Sequence, residues 1–551
     1  MMEKRTLLAV VLALGVWLLW SYFFVRPHDQ SQEQAPEQLE RVEQAAETPP
    51  TREAARPAAL TAISVKGAFR EETVSIATGK YTAVLSNRGA VIKSFKYNAR
   101  GTELVVENSG FEAKGVFDFP LHLSENEFLQ GGALDEAMWG LGGVTDGEVR
   151  FVAAVTLQGV PVRVEKTYRF LKDADYFTVS FRIQNAGNRS VVLPGGAVIF
   201  SASDFLGPAM DFDNTYNQVH GIYSVNGSFE KSSKGGGFFS KAGIVKKENG
   251  VIQWVGMMSR YFLLIMIPED FTGTGVISDN RPGAGFRAGM YLPLDELKAG
   301  DTLSRNFKVY AGEKNKEKLR AVSESVIDAA DVSKWIEPIR DFLLWALLKI
   351  NILFGNFGWS LVVFSIITKV ILLPLTQKST ESMKKLQALN PQITELREKY
   401  KEKPEILNKK IMDLYKKNKV NPASGCLPLL LQMPFFFALY SALINAIDLW
   451  QAPFVLWIRD LSLPDTIFKI SGFNVNVLPI IMTGTTYLQQ RMTTGEAVGQ
   501  QQKMLMFMPL IFIVIFWNMP SGLVLYWIMQ NALQMLHQIY INRRGKIKNA
   551  E

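Results

Sequence analysis

Lys369 is the residue of this 551-residue chain whose placement most needs a physical explanation. It stands ten residues from one end and seven from the other of the otherwise uncharged run 359–376. A charge near the middle of a bilayer span costs about 2.5 to 3.5 kcal/mol even on the lenient insertion scale, and such residues normally face a bundle interior or water. An ion pair would be the ordinary structural explanation, but the apolar runs of the C-terminal half contain no Asp or Glu. An unpaired ammonium there needs water, so the sequence predicts a hydrated pocket inside the membrane. Ser365, one turn before Lys369, could line it, as could Gln432 in the next run and Thr483, Thr486 and Gln490 on one face of the run after that. In the last run Tyr526, Gln530, Gln534 and Gln538 recur every four residues. Each alone is equally suited to bonding across a helix interface, the commoner role of Gln and Thr in membranes. Together with an unpaired lysine they predict a groove that is polar inside and open to lipid or cytoplasm.

This chemistry is electrostatic, not covalent. The chain has no Gly-x-x-x-x-Gly-Lys motif and no His-Glu-x-x-His, and its four histidines are scattered at 28, 122, 220 and 537. Cys426 is the only cysteine, which excludes an internal disulfide framework and a Cys-rich metal site. No catalytic residue, metal or cofactor is expected. The net charge of +8 could point to nucleic acid, but the Lys and Arg excess lies beside the apolar runs, where it orients a membrane protein and meets anionic lipid. DNA is not an expected partner.

The elements that must position these residues divide the chain. A short cytoplasmic N-terminus (1–6) with Lys4 and Arg5 precedes the uncharged run 7–25, which continues through bulky aromatics into Arg26-Pro27. It reads as an uncleaved signal anchor. Residues 26–61, rich in Gln, Glu, Ala and Pro, form a disordered tether. Residues 62–330 alternate apolar and polar positions between Asn-Arg-Gly and Asn-Ala-Gly-Asn turns, which predicts a large antiparallel β-sandwich with no helical period before Lys314–Ala330. Residues 335–354 carry Ile336, Ile339, Leu343, Leu347 and Ile350 on one side and read as an amphipathic interfacial helix, the alternative being a helix packed on the sandwich.

The bilayer part follows as transmembrane helices at 359–376, 426–447, 477–490, 504–518 and 522–541. The tract 504–542 would be about 58 Å as one helix, too long for one span, and Asn518-Met-Pro-Ser-Gly522 marks a turn inside it. Spans 477–490 and 504–518 are short, about 21 and 22 Å, and short spans thin the local bilayer. Between the first two spans, 377–421 carries eleven Lys and one Arg over Lys378–Val420 against six acidic residues. It predicts a cytoplasmic hairpin of two antiparallel helices, with Leu386, Leu389, Ile393 and Leu396 facing Ile406, Leu407, Ile411 and Leu414. Lys384, Lys385, Lys409, Lys410, Lys416 and Lys417 suit rRNA and anionic lipid. A periplasmic loop (448–476) rich in Trp and Pro, a cytoplasmic loop (491–503) and a basic tail (542–551) complete the chain. The fold class is thus an α+β membrane protein with six transmembrane helices and both termini in the cytoplasm.

Three segments also resemble the signatures of a known family. Asn421-Pro-Ala-Ser-Gly-Cys-Leu-Pro-Leu-Leu-Leu-Gln-Met-Pro434 with Phe435-Phe-Phe-Ala-Leu-Tyr440, then Gln451-Ala-Pro-Phe-Val-Leu-Trp-Ile-Arg-Asp-Leu461, and Pro520-Ser-Gly-Leu-Val-Leu-Tyr-Trp527 look like those of the YidC insertases, relatives of the organellar Oxa and Alb proteins. The resemblance covers about 335–540. It implies a five-helix insertase core beyond the anchor, a periplasmic β-supersandwich, and insertion of nascent membrane proteins into a bacterial inner membrane. It also implies the ribosome, the Sec translocon (SecYEG and SecDF) and the signal recognition particle receptor as partners, and Tyr526-Trp527 as substrate contacts. Family members most often carry Arg where this chain has Lys369, which keeps the charge and loses the bidentate geometry. Two other readings are less well supported. A secondary transporter usually pairs its charges and repeats its halves, and a periplasmic carbohydrate enzyme would need a constellation around His122 or His220 that the sequence does not display.

Overall fold

The computed structural model describes residues 61–63, 70–105, 117, 119, 121–122, 125–130, 132–192, 199–202, 206–207, 219–232, 245–279, 287–293, 296–330, 336–401, 403–418, 420, 427–470, 473–494 and 508–548. The expected N-terminus, signal anchor and nearly all of the tether lie outside these residues, as do Cys426 and most of the loop 491–503. The chain forms two compact units, Met1–Ala330 and Asp331–Glu551.

The first unit is a β-sandwich. A four-stranded antiparallel sheet contains β1 (Tyr81–Ser86) and β2 (Val91–Tyr97). A larger sheet is built on β3 (Glu148–Leu157), β4 (Val160–Phe170), β5 (Tyr176–Asn185), β6 (Val245–Met258), β7 (Phe262–Pro268), β8 (Gly273–Asp279) and β9 (Thr302–Glu313). Its central order is β3-β4-β5-β9-β7-β6-β8. Gln158 and Gly159, both at positive φ (54° and 72°), make the tight turn whose twist matches the paired strands and fixes the β3–β4 register. Alternation sends Val162, Val164, Tyr168 and Phe170 of β4 inward, and the layers meet where Phe95 lies 5.5 Å from Phe177. Tyr168 donates its hydroxyl hydrogen to the Ala90 carbonyl at 2.7 Å, tying the layers at that point.

Strand β7 is buried on both faces because Leu319, Val322 and Val326, from the helix Lys316–Val322 and the 3-10 turn after it, cover Leu263 and Ile265. Where β9 ends, the buried Glu313 accepts from Arg100 at 2.7 Å and from Lys318 at 2.6 Å. Two short helices, Glu125–Gln130 and Ala133–Glu136, interrupt the strands before Lys314. At six and four residues they are too short to display a helical period. The buried His122–Asp135 pair, 3.0 Å apart, holds the second of them in place.

The second unit is helical: α1 (Glu337–Phe354), α2 (Phe357–Ala388), α3 (Asn390–Lys399), α4 (Pro404–Lys417), α5 (Leu427–Asn445), α6 (Leu478–Thr494), α7 (Met508–Phe516) and α8 (Ser521–Lys548). Gly355, in the left-handed conformation, ends α1, and the Asn356 side chain accepts from Gly358 and Trp359 to start α2. The expected α1 stripe packs on the helical core, with Leu343 and Leu347 buried. The opposite side is also apolar: Phe342 and Trp345 are exposed and stack at 6.0 Å.

Helix α2 runs unbroken past Thr376 to Ala388, so one rod joins the apolar run to the first arm of the basic hairpin. The hairpin seam is Leu389, Ile393 and Val420 against Ile411, Leu414 and Tyr415. Ile406, expected in that seam, is exposed, because the helices meet nearer the C-terminal end of α4. Phe357–Pro374 is long and apolar enough to cross a membrane by itself, and Met433–Asn445 is a shorter apolar helix. Helix α6 has 17 residues, about 26 Å, longer than its apolar run suggested.

A loop lies across one end of this bundle. Ser521 and Gly522, at the start of α8, donate backbone N–H to Leu463 and Leu461 at 2.7 and 2.9 Å. Asp465 accepts from the N–H groups of Val477 and Leu478 at the start of α6 and from the Trp457 indole at 3.0 Å. A Cβ at Gly358 would fall 1.9 Å from the Phe454 ring, so the loop touches α2 where only glycine fits.

Candidate polar groove

Three helices, α2, α6 and α8, bring their polar residues together. Lys369 is only 9% exposed and donates to the side-chain oxygen of Gln534 on α8. One turn earlier, Gln530 donates to the Ser365 carbonyl and to the Thr368 hydroxyl, both at 3.1 Å. Beside it, Asn531 turns to α6 and donates to Thr485 at 3.2 Å and Thr486 at 2.8 Å. The Ser365, Thr368 and Thr486 hydroxyls themselves donate to carbonyls of their own helices. The ladder is therefore closed, neutral but for Lys369, and built from short side chains that let the helices approach.

The lysine is not without a partner, which corrects the sequence expectation. Its partner is a neutral amide, and among the described residues it makes no ion pair. The bond is already charge-assisted through its donor, but a neutral acceptor leaves the positive charge uncompensated, and a carboxylate would add the attraction of an opposite charge. The Lys369 ammonium is thus held by an uncharged acceptor of its own unit.

The other expected groove residues divide. Ser365, Thr486 and Gln530 belong to the ladder. Thr483 is half-buried and bonds back to Pro479 at 2.8 Å, and Gln490 is half-buried. Gln432 lies on α5, its side chain outside the described residues. Tyr526 and Trp527 lie at the start of α8, before the ladder residues. Both are buried in the apolar core, Trp527 with its ring 5.4 to 5.8 Å from Phe436, Phe512 and Phe516.

Four residues escaped the sequence reading, Thr368, Thr485, Asn531 and His537. Thr368 and Asn531 adjoin Lys369 and Gln530, and an Asn in an apolar run was as clear a signal as a Gln. His537 lies one turn beyond Gln534, and its buried ring nitrogens have no hydrogen-bond partner among the described residues. In the hairpin, Lys385, Lys409, Lys410, Lys416 and Lys417 are exposed, while the Lys384 side chain is outside the described residues. No group of His, Cys, Asp and Glu among the described residues could hold a metal ion.

Two family profiles match the chain: one described as 60Kd inner membrane protein over residues 349–549, and one as YidC periplasmic domain over 141–346. A membrane protein insertase YidC of Pelobacter propionicus is 32% identical over 98% of this chain and 99% of its own length. One from Leptospira interrogans serogroup Icterohaemorrhagiae serovar Lai is 30% identical over 99% and 98%. A solved structure described as an active YidC insertase with the first transmembrane domain resolved is similar at 19% identity, covering 88% of this chain and 95% of that one with a TM-score of 0.36. With relatives of that identity along the whole length of both chains, this protein belongs to the YidC family, inner-membrane proteins with a periplasmic domain.

Proposed function

We propose that the chain inserts nascent membrane proteins by receiving their polar tails or loops in the groove between α2, α6 and α8 and releasing their apolar segments into lipid. Insertion of this kind is not an enzymatic reaction and makes or breaks no covalent bond. The observation that carries the proposal is Lys369, buried in an apolar helix and, among the described residues, bonded to the neutral Gln534. An acidic group of a client displaces Gln534 and pairs with the ammonium, which lowers the free-energy cost of bringing a polar segment to membrane depth. The hydrophobic segment then partitions into lipid, which drives the step without a nucleotide.

In this reading the N-terminal anchor and five helices cross the inner membrane, both termini and the basic hairpin are cytoplasmic, and the β-sandwich is periplasmic. The short helices α6 and α7 thin the bilayer beside the groove. The hairpin receives the client from the ribosome or the signal recognition particle receptor and rests on anionic lipid, and the protein works alone or beside the Sec translocon. The positive charge of the hairpin supports the first of these contacts. Residues from about 60 to about 320 are expected to be dispensable for much of the insertion activity.

The test is site-specific crosslinking of a ribosome-stalled nascent membrane protein to single positions of the full chain. Probes at Ser365, Gln530 and Gln534 should capture the client's polar tail, and a probe at exposed Ile371 on the outer side of α2 should capture its apolar segment later. Capture only by the β-sandwich, with none at the groove, would overturn the proposal.

A further inference from the structure

The loop across the end of the bundle contains an antiparallel hairpin, β10 (Thr466–Ile470) and β11 (Phe473–Asn476). Its base is fixed. Thr466 donates to the Asn476 side chain at 2.7 Å, Asn476 donates to the Trp517 carbonyl, and the Trp517 indole donates back to Asn474 at 3.0 Å. Beyond that base none of the described residues covers it: Ile467, Phe468 and Ile470 are 45%, 51% and 58% exposed. Phe468 and Ile470, two residues apart, share one face with Val475, which pairs with Phe468, while Lys469 and its partner Asn474 take the other. A lone two-stranded hairpin is marginal in water, and one with an uncovered apolar face needs an apolar surface against it.

We infer that this hairpin lies in the lipid interface, its Phe468–Ile470 face in the acyl region and Lys469 among the phosphates. Two features select lipid over a protein partner. The hairpin is anchored at the end of α7 and the start of α6 and α8, where those helices leave the apolar layer, so its depth is that of the headgroup boundary. Its apolar face is also continuous in kind with the exposed apolar sides of α6 and α7, including Ile480, Ile481 and Leu510. Seated roughly 5 to 10 Å into the boundary, the hairpin holds the outer ends of the two short helices at a set depth.

The experiment uses the full chain with Cys426→Ser, its only cysteine removed, and an environment-sensitive fluorophore on Phe468→Cys or, separately, Ile470→Cys. A third label on Lys172→Cys, 78% exposed in the β-sandwich, is the aqueous reference. In vesicles of phosphatidylethanolamine and phosphatidylglycerol, the two hairpin labels should be quenched by lipids carrying a nitroxide near the headgroup. They should also show roughly fivefold less iodide quenching than the reference. Iodide quenching equal to the reference, with none from the lipid nitroxide, would overturn the inference. So would shielding from both quenchers, which would mean that a second copy of the chain covers the face.

Discussion

The two units bury opposite things. In the β-sandwich the described large apolar residues left exposed are four, Leu141, Val144, Val192 and Val251, against twenty-eight in the helical unit. Buried charge follows the reverse rule. The sandwich meets it with opposite charge or with rings, as Glu313 is paired with Arg100 and Lys318 and buried Lys166 lies over Tyr168 and Phe181. The helical bundle instead joins α2, α6 and α8 through neutral amides and hydroxyls and keeps one lysine on a neutral acceptor. A sandwich in water must hide its apolar faces and compensate the charges it buries. In the proposed reading the bundle lies in lipid, where it gains nothing by hiding leucine, so its interior is free to hold the polar groups that lipid rejects.

The sharpest way to break the contrast is to give the bundle the kind of charge pair the sandwich has. Gln534→Glu places a carboxylate on the Lys369 ammonium, so insertion of clients with acidic tails should fall about tenfold or more, since 1.4 kcal/mol already makes that factor. Gln534→Leu removes the internal acceptor without supplying charge and should keep most of the activity. Insertion assays of one acidic and one neutral client separate the two. Equal rates in both variants would remove Gln534 from the mechanism.

The converse change acts on the sandwich. Burial alone would raise the Glu313 carboxyl, but hydrogen bonds from Arg100 and Lys318 outweigh it and hold it below the ordinary carboxylate range. A depressed carboxyl stabilises the fold above its unfolded pKa, and that contribution is lost as pH falls through the lower folded value. Glu313→Gln should therefore cost about 2 to 3 kcal/mol near neutral pH. The difference from the parent should shrink in acid, below about pH 4. Thermal unfolding of the purified full chain at several pH values reads this, and a difference that is constant with pH would contradict it.

The smallest effect is expected in the basic hairpin, where charge faces water and is screened. Replacing Lys384, Lys385, Lys409, Lys410, Lys416 and Lys417 by Gln keeps helix propensity nearly unchanged. Ribosome binding should weaken by several-fold at low salt and become less salt-sensitive. Unchanged binding at every salt concentration would leave these lysines with only an orienting role.

The sequence disclosed what local chemistry encodes. Lys369 stood out as a charge in an apolar run, the alternation of β4 and β5 announced a sandwich, and Asn518–Gly522 announced a turn. Contacts between helices were not legible, because the register of α8 against α2 decides that Lys369 meets Gln534, and no single run contains that register. Trp527 shows the same limit from the other side. Resemblance gave it as a substrate contact, and only the packing of the helices reveals its ring among Phe436, Phe512 and Phe516. The hairpin at 466–476 passed unseen because the bulge at Ile467 breaks the strand alternation.

The claim on which the account turns is that a positive charge in the groove draws acidic client segments. It is tested most directly by comparing Lys369→Glu with Lys369→Arg in the full chain, using two clients that differ only in the number of acidic residues in the translocated tail. The account predicts that Lys369→Arg inserts both clients, and that Lys369→Glu fails mainly with the acidic one, because the first keeps the attracting field and the second inverts it. Equal insertion of both clients by both variants would contradict it.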